Sequence, residues 1–232
     1  MNEYAQQLTV SQTEPSERAA FIRRTYAHLA GAVLAFVGLE AYLLSTPLAE
    51  KMISVISGNQ YGWLMFLGAF ILCGWLARGL ASGAASQSMQ YAGLTLYIIA
   101  EAVIFVPMLY IAVHYSAPEV LPMAGILTLL LFVGLTAVVF TTRKDFSFLR
   151  SILIIGAPIA LGLIVCGAIF DFNLGLVFSG AMVLFASGAI LYDTSKILHH
   201  YRTDQHVGAA LQLFASVALL FWYILRIVMN RR

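Results

Sequence analysis

Long apolar runs, each about as long as a bilayer is thick, alternate along the chain with short polar breaks. A transmembrane helix needs about 20 consecutive apolar residues. Seven stretches qualify: 26–46, 61–80, 88–114, 120–141, 149–170, 174–195 and 209–229. Strands of a membrane barrel would alternate apolar and polar residues over about 10 positions. These runs are apolar all round, so each predicts a helix. The breaks are Thr46-Pro47, Ser82-Gly83, Ser116-Ala117-Pro118, the TTRKDFS run at 141–147, Asp171-Phe172-Asn173 and HHYRTDQHVG at 199–208. Connections this short force neighbouring helices to run antiparallel. The pattern predicts an all-α integral membrane protein, a seven-helix bundle in one domain over residues 21–232. Residues 1–20, MNEYAQQLTVSQTEPSERAA, are polar and lack the basic-then-apolar order of a secretory signal. They read as a disordered cytoplasmic tail.

Composition sharpens the picture. The chain is 61% hydrophobic and 10% charged, against about 45–50% and 25% for soluble domains. So few charges cannot cover a water-soluble globule. A net charge of +2 is too small for a surface that tracks phosphates, and no nucleic-acid partner is expected. The solvent is the lipid bilayer. The basic residues also fix an orientation. Arg18, Arg23, Arg24, Arg78, Arg143, Lys144, Arg150, Lys196 and Arg202 fall in or beside the N-terminal tail and the 2–3, 4–5 and 6–7 loops. The opposite loops hold Lys51 alone. The N-terminus is therefore expected in the cytoplasm. Seven spans leave Arg226, Arg231 and Arg232 outside, and a re-entrant last segment would bring them in; the length of 209–229 favours seven.

Small and sulfur-bearing residues read as packing. Cys73 and Cys166 lie inside apolar runs without disulfide or metal spacing. Gly31, Gly38, Gly68, Gly74, Gly134, Gly162, Gly180 and Gly188 sit within spans, where small residues let helices approach.

Charges within spans are costly and mark candidate sites. Three acids qualify: Glu40, Glu101 and Asp193. Asp193, in ILYDTSK, ends the sixth span. There the negative end of the helix dipole and burial both disfavour a carboxylate, unless Lys196 or Arg78 compensates. It is either a proton-sensing group or an interfacial acid paired with Lys196. Glu101 lies mid-span. Gln90, Tyr97 and Glu101 share one helical face, at about 0°, −20° and 20°, and Pro107 follows. A midplane Glu must be protonated, paired or in a water cavity. Glu40 is either a second cavity acid or a residue paired near the outer leaflet. The last span carries one polar row, Gln212, Ser216, Tyr223 and Arg226, at about 0°, 40°, 20° and −40°. Such a row suits a central helix lining a site, or an interhelical hydrogen-bond seam. His199, His200 and His206 read as a solvated loop without metal spacing. No HExxH, GxSxG or P-loop pattern occurs, so neither an enzyme nor a resident cofactor or metal is expected.

Three segments carry a family resemblance: Thr141-Thr142-Arg143-Lys144-Asp145-Phe146-Ser147-Phe148-Leu149, Ser187-Gly188-Ala189-Ile190-Leu191-Tyr192-Asp193-Thr194-Ser195, and Phe221-Trp222-Tyr223-Ile224-Leu225-Arg226. Together, in this order, they resemble the Bax inhibitor-1 family of transmembrane Bax-inhibitor-motif proteins, and most of all its bacterial YccA-type branch. The resemblance covers residues 21–229. It implies a seven-helix bundle around a central last helix, in the inner membrane of a bacterium. It also implies a pH-dependent calcium leak, with calcium a transient passenger. The family's pH sensor is a pair of aspartates in spans 6 and 7, approached by an Arg in span 2. Asp193 matches the first aspartate and Arg78 the arginine. The second aspartate falls at Ser216, which can share a hydrogen bond with Asp193 but not a proton between two carboxylates. The expected proton-sensing and ion-pathway residues are therefore Asp193, Ser216, Arg78, Glu101 and Glu40. The resemblance also implies a second class of function, restraint of a membrane-anchored AAA protease. A small-molecule transporter is disfavoured, because no inverted repeat is visible.

Overall fold

The computed structural model describes residues 9–58, 61–81, 86–170 and 172–230. Eight α-helices follow one short 3-10 turn at Val10–Gln12: α1 Pro15–Leu44, α2 Leu48–Ser57, α3 Gly62–Leu80, α4 Gln87–Tyr115, α5 Val120–Thr142, α6 Leu149–Phe170, α7 Gly175–His199 and α8 His206–Met229. Seven of them, all but α2, are long and apolar enough to cross a membrane.

Local chemistry sets the helix ends. Pro15 opens α1, where its fixed φ and missing N–H are harmless. Ser86 caps α4 by accepting from the Met89 N–H at 3.4 Å. Asn173 accepts from the Gly175 N–H at 2.8 Å, and Gly175 opens α7 at φ +67°, a conformation open to glycine at little cost. α4 continues through Pro107 without a break.

Successive spans alternate in direction. The end of the bundle that holds the start of α1 (the near end) also gathers the α5–α6 and α7–α8 connections, because residues 10–11 and 145–147 both contact residues 195–201. The far end joins Tyr110 of α4 to Glu50 of α2, hydroxyl to carboxylate at 3.3 Å. It also stacks Trp63 on Trp222 with ring centroids 6.2 Å apart. α8 is one uninterrupted helix packed against α1, α3, α4, α5 and α7. Its Leu213, Leu220 and Leu225 are fully buried. It is the central helix and spans the bundle, not a re-entrant segment. α6 is peripheral: it leans on α7, touches α3 lightly, and buries only Ala160.

The structure departs from the sequence expectation in several places. First, the tail expected to be disordered over 1–20 is ordered from Thr9 onward; residues 1–8 lie outside the described residues. Val10 is fully buried and its N–H donates to the Tyr201 carbonyl at 2.8 Å. Thr9 forms an antiparallel bridge with Arg202, and the Ser11 hydroxyl donates to the His199 carbonyl at 3.0 Å. Second, the helix that carries the first span begins at Pro15, ahead of the apolar run that starts at 26.

Third, residues 48–57 form a helix, α2, where only the break at Thr46-Pro47 was expected. Its apolar Leu48, Ala49, Met52 and Ile53 alternate with Glu50, Lys51 and Ser54, a pattern suited to an interface between bilayer and water. Fourth, seven of the eight glycines assigned to packing face open space, Gly74 being the exception. Close approaches fall instead at glycines outside that set, Gly93 and Gly208 among them. A Cβ on Gly93 would lie 2.5 Å from the Ala77 carbonyl oxygen, and one on Gly208 2.5 Å from that of Ala81. Cys73 is half-buried in α3 and Cys166 exposed on α6, both as free thiols, so Cys166 faces outward rather than packing.

The Ser82-Gly83 break, Asp171, Arg231 and Arg232 lie outside the described residues.

Candidate functional site

A half-open cavity of about 990 Å³ runs along α3, α4, α6, α7 and α8. At the near end its walls carry Arg78, Arg150, Asp193 and Gln212; at the far end, Trp63, Asn173 and Arg226. The polar row of α8 faces it entirely, since Gln212, Ser216, Tyr223 and Arg226 all line the wall. Helical periodicity explains why: the opposite faces of α8 are occupied by the leucines that fill the core.

Asp193 is held from α8. The Ser216 hydroxyl donates to Asp193 Oδ2 at 2.6 Å, and the residues are only 2% and 5% exposed. A hydrogen bond to a charged group is worth about 1.5–3 kcal/mol, and this one ties α7 to α8 across their densest contact. Lys196 does not pair with Asp193. Its ammonium lies over the rings of Tyr192 and Tyr201, 5.5 Å and 4.8 Å from the centroids. Tyr201 closes the near end above the acid. Burial pushes its phenol well above the usual range, with the Asp193 and Tyr192 charges adding.

Glu101 occupies the α4 wall of the same cavity, 5% exposed, within electrostatic reach of the Tyr97 hydroxyl and of Arg78. The Arg78 guanidinium sits 5.8 Å from the centre of the Tyr97 ring, a cation–π distance. Gln90 is buried on the same face of α4 but does not line the cavity. The structure thus brings together Arg78, Glu101, Asp193 and Ser216. Among the described residues, no ion pair joins Arg78 to either acid. Glu40 stands apart: it is 4% exposed, lies away from the cavity lining, and neither carboxyl oxygen has a hydrogen-bond partner.

A second polar cluster closes the near end, one that sequence spacing missed. Asp145, in the α5–α6 loop, accepts from the Ser147 hydroxyl at 2.6 Å and the Ser147 N–H at 2.9 Å. His200 Nε2 lies 3.1 Å from Asp145 Oδ2 and 3.1 Å from the Ser147 hydroxyl. The Ser195 hydroxyl accepts from the Phe146 N–H at 3.0 Å. The Ser147 hydroxyl, with the Ser147 N–H and His200, holds the carboxyl down at about 2, against the opposing effect of burial. Serine, histidine and aspartate meet here, yet both partners use the same imidazole nitrogen. A proton relay needs both ring nitrogens, so the cluster is a clasp between the loop and the end of α7. Of the histidines expected in a solvated loop, His200 is exposed while joining this clasp, and His206 departs from the expectation, buried beside His28 with ring centroids 5.0 Å apart. No group of three metal-ligating side chains occurs among the described residues.

Comparison with known proteins agrees with this architecture. The family model described as inhibitor of apoptosis-promoting Bax1 matches residues 18–232. An uncharacterised protein of Pseudomonas aeruginosa is 33% identical over 98% of this chain and 96% of its own length. The modulator of FtsH protease YccA, from Escherichia coli, is 36% identical over 47% of this chain and 50% of its own. Bax inhibitor 1 of Schizosaccharomyces pombe is 28% identical over 94% of this chain and 79% of its own. The match over nearly the whole chain, with the bacterial and eukaryotic relatives, places this seven-span protein in the Bax inhibitor-1 family, as a YccA-like member.

Proposed function

We infer that the protein is a pH-sensitive cation leak of a bacterial inner membrane, with calcium as the passing ion and the N-terminus in the cytoplasm. The cavity carries this reading, because it follows the helices from near to far end and brings two buried acids and Arg78 to one wall system. Asp193 is the proton-sensing group and Ser216 its fixed donor. Proton uptake cancels the charge that Ser216 stabilises. That weakens the α7–α8 tie and leaves Arg78 as the cation competing for the cavity. Glu101 is the pathway acid deeper in the wall. Calcium is transient cargo, and no resident cofactor or catalysis is invoked.

The test is calcium flux into proteoliposomes between pH 6 and 8. Asp193→Asn is expected to flatten the pH response, and Glu101→Gln to lower flux at every pH. Equal flux from wild type and Asp193→Asn across the range removes Asp193 from the mechanism.

A second reading, restraint of a membrane-anchored AAA protease, is supported by the relative named as a modulator of such a protease. Residues 2–8 precede the docked strap and are its natural handle. Deleting them leaves Thr9–Thr13 in place, so loss of protease co-purification with an intact thermal midpoint would support the reading. No co-purification by wild type would overturn it.

A further inference from the structure

We propose that the cavity is a binding site for an anionic phospholipid, its phosphate held by Arg78 and Arg150 and one acyl chain laid between α3 and α6. Charge sets the head end. Arg78, in the last turn of α3, and Arg150, in the first turn of α6, both line the near end. Neither has an ion-pair partner among the described residues. Of the nearby acids, Asp193 is buried and engaged by Ser216, and Glu101 lies deeper along α4. A cation in the first turn of a helix opposes the macrodipole, so the position of Arg150 calls for an external anion.

The walls set the chain end. Leu67 and Phe70 of α3 face Leu153, Ile154, Ala157 and Ile164 of α6 across the cavity. From Arg150 to Ala168, α6 runs about 27 Å at 1.5 Å per residue, more than one leaflet of a hydrocarbon core about 30 Å thick. The volume of about 990 Å³ is at the upper end of small-molecule sites. α6 buries only Ala160 and touches α3 lightly, so the two helices are lips that open sideways into the bilayer. The apolar α3–α6 side of the cavity gains little from water, and an acyl chain is the solute at hand. The polar row of α8 forms a different wall, so lipid retention is measured independently of whether cations cross.

Native mass spectrometry of the protein, equilibrated with equal phosphatidylglycerol and phosphatidylcholine, tests the site. Wild type is expected to retain phosphatidylglycerol at least five-fold over phosphatidylcholine. Arg78→Gln with Arg150→Gln should bring that preference within two-fold, whereas Arg143→Gln with Lys144→Gln, outside the lining, should keep it. Ala157→Trp should lower retention of both lipids; if that variant does not fold, Ala168→Leu narrows the same wall. Soluble glycerol phosphate in millimolar excess should leave retention unchanged. The proposal is overturned by equal retention of the two lipids in wild type, by a preference that survives loss of both arginines, or by full retention in a folded wall-filling variant. Displacement by glycerol phosphate overturns the lipid assignment in favour of a free-anion site.

Discussion

Gly93 makes one of the tightest helix contacts near the cavity, and adding one methyl group there tests how the site is positioned. A Cβ on Gly93 would sit 2.5 Å from the Ala77 carbonyl oxygen and 2.8 Å from the Ala81 nitrogen. Ordinary contact begins at 3.4 Å, so α3 must retreat by about 0.9 Å. Both obstacles are backbone and cannot rotate away. Overpacking of this kind costs about 1–3 kcal/mol, offset by up to about 1 kcal/mol for replacing a helical glycine with alanine. Gly93→Ala is therefore expected to lose about 1–2 kcal/mol. For a protein of this size that is a fall of roughly 2–8 °C in Tm. Gly134→Ala is the control: it faces open space and should be neutral or slightly stabilising. Tyr97 lies one turn after Gly93, so the retreat of α3 also separates Arg78 from the Tyr97 ring. A thermal scan in detergent, read by tryptophan fluorescence, gives both midpoints. If Gly93→Ala melts at or above wild type, the close approach of α3 and α4 does not position this wall.

Glu40→Met removes two buried oxygens that have no hydrogen-bond partner. Unpaired buried polar groups cost about 1–3 kcal/mol, so the variant should melt higher in the same scan, and a lower midpoint would reveal a hidden partner. Asp145→Ala opens the clasp, and trypsin should cut after Arg143 or Lys144 several-fold faster at neutral pH. The pH dependence has a definite sign. The carboxyl is held at about 2, below its usual 3.8, so its contribution is complete above about pH 4 and is lost as pH falls toward 2. Amide protection factors of residues 143–148, taken against the intrinsic exchange rate at each pH, should fall over that window in wild type and be flat in Asp145→Ala.

The spans were legible because a bilayer imposes a length and an all-round apolar pattern, and the polar row of α8 because helical periodicity turns spacing into a face. The pairing of Ser216 with Asp193 came from family resemblance, since nothing in local spacing joins residues 23 apart. Four features were hidden for physical reasons. α2 is half the length of a span, and its apolar residues are interrupted by charge. Val10 lies in a segment of disordered composition, and its partner Tyr201 is distant in sequence. The packing glycines could not be told from the lipid-facing ones, because a missing side chain looks the same whether it faces a helix or an acyl chain. The clasp was missed because Asp145 and His200 stand 55 residues apart.

The N-terminal strap has a consequence for how the chain is made. Ser11 meets the His199 carbonyl across 188 residues, so a segment made before the spans docks on one made after six of them. Until α7 and the turn after it have been inserted, Val10 has nowhere to bury and the first residues remain free on the membrane surface. Docking is then a marker that the chain has been made past Tyr201, and one that stops earlier displays a loose Thr9–Thr13 segment that the folded protein has put away.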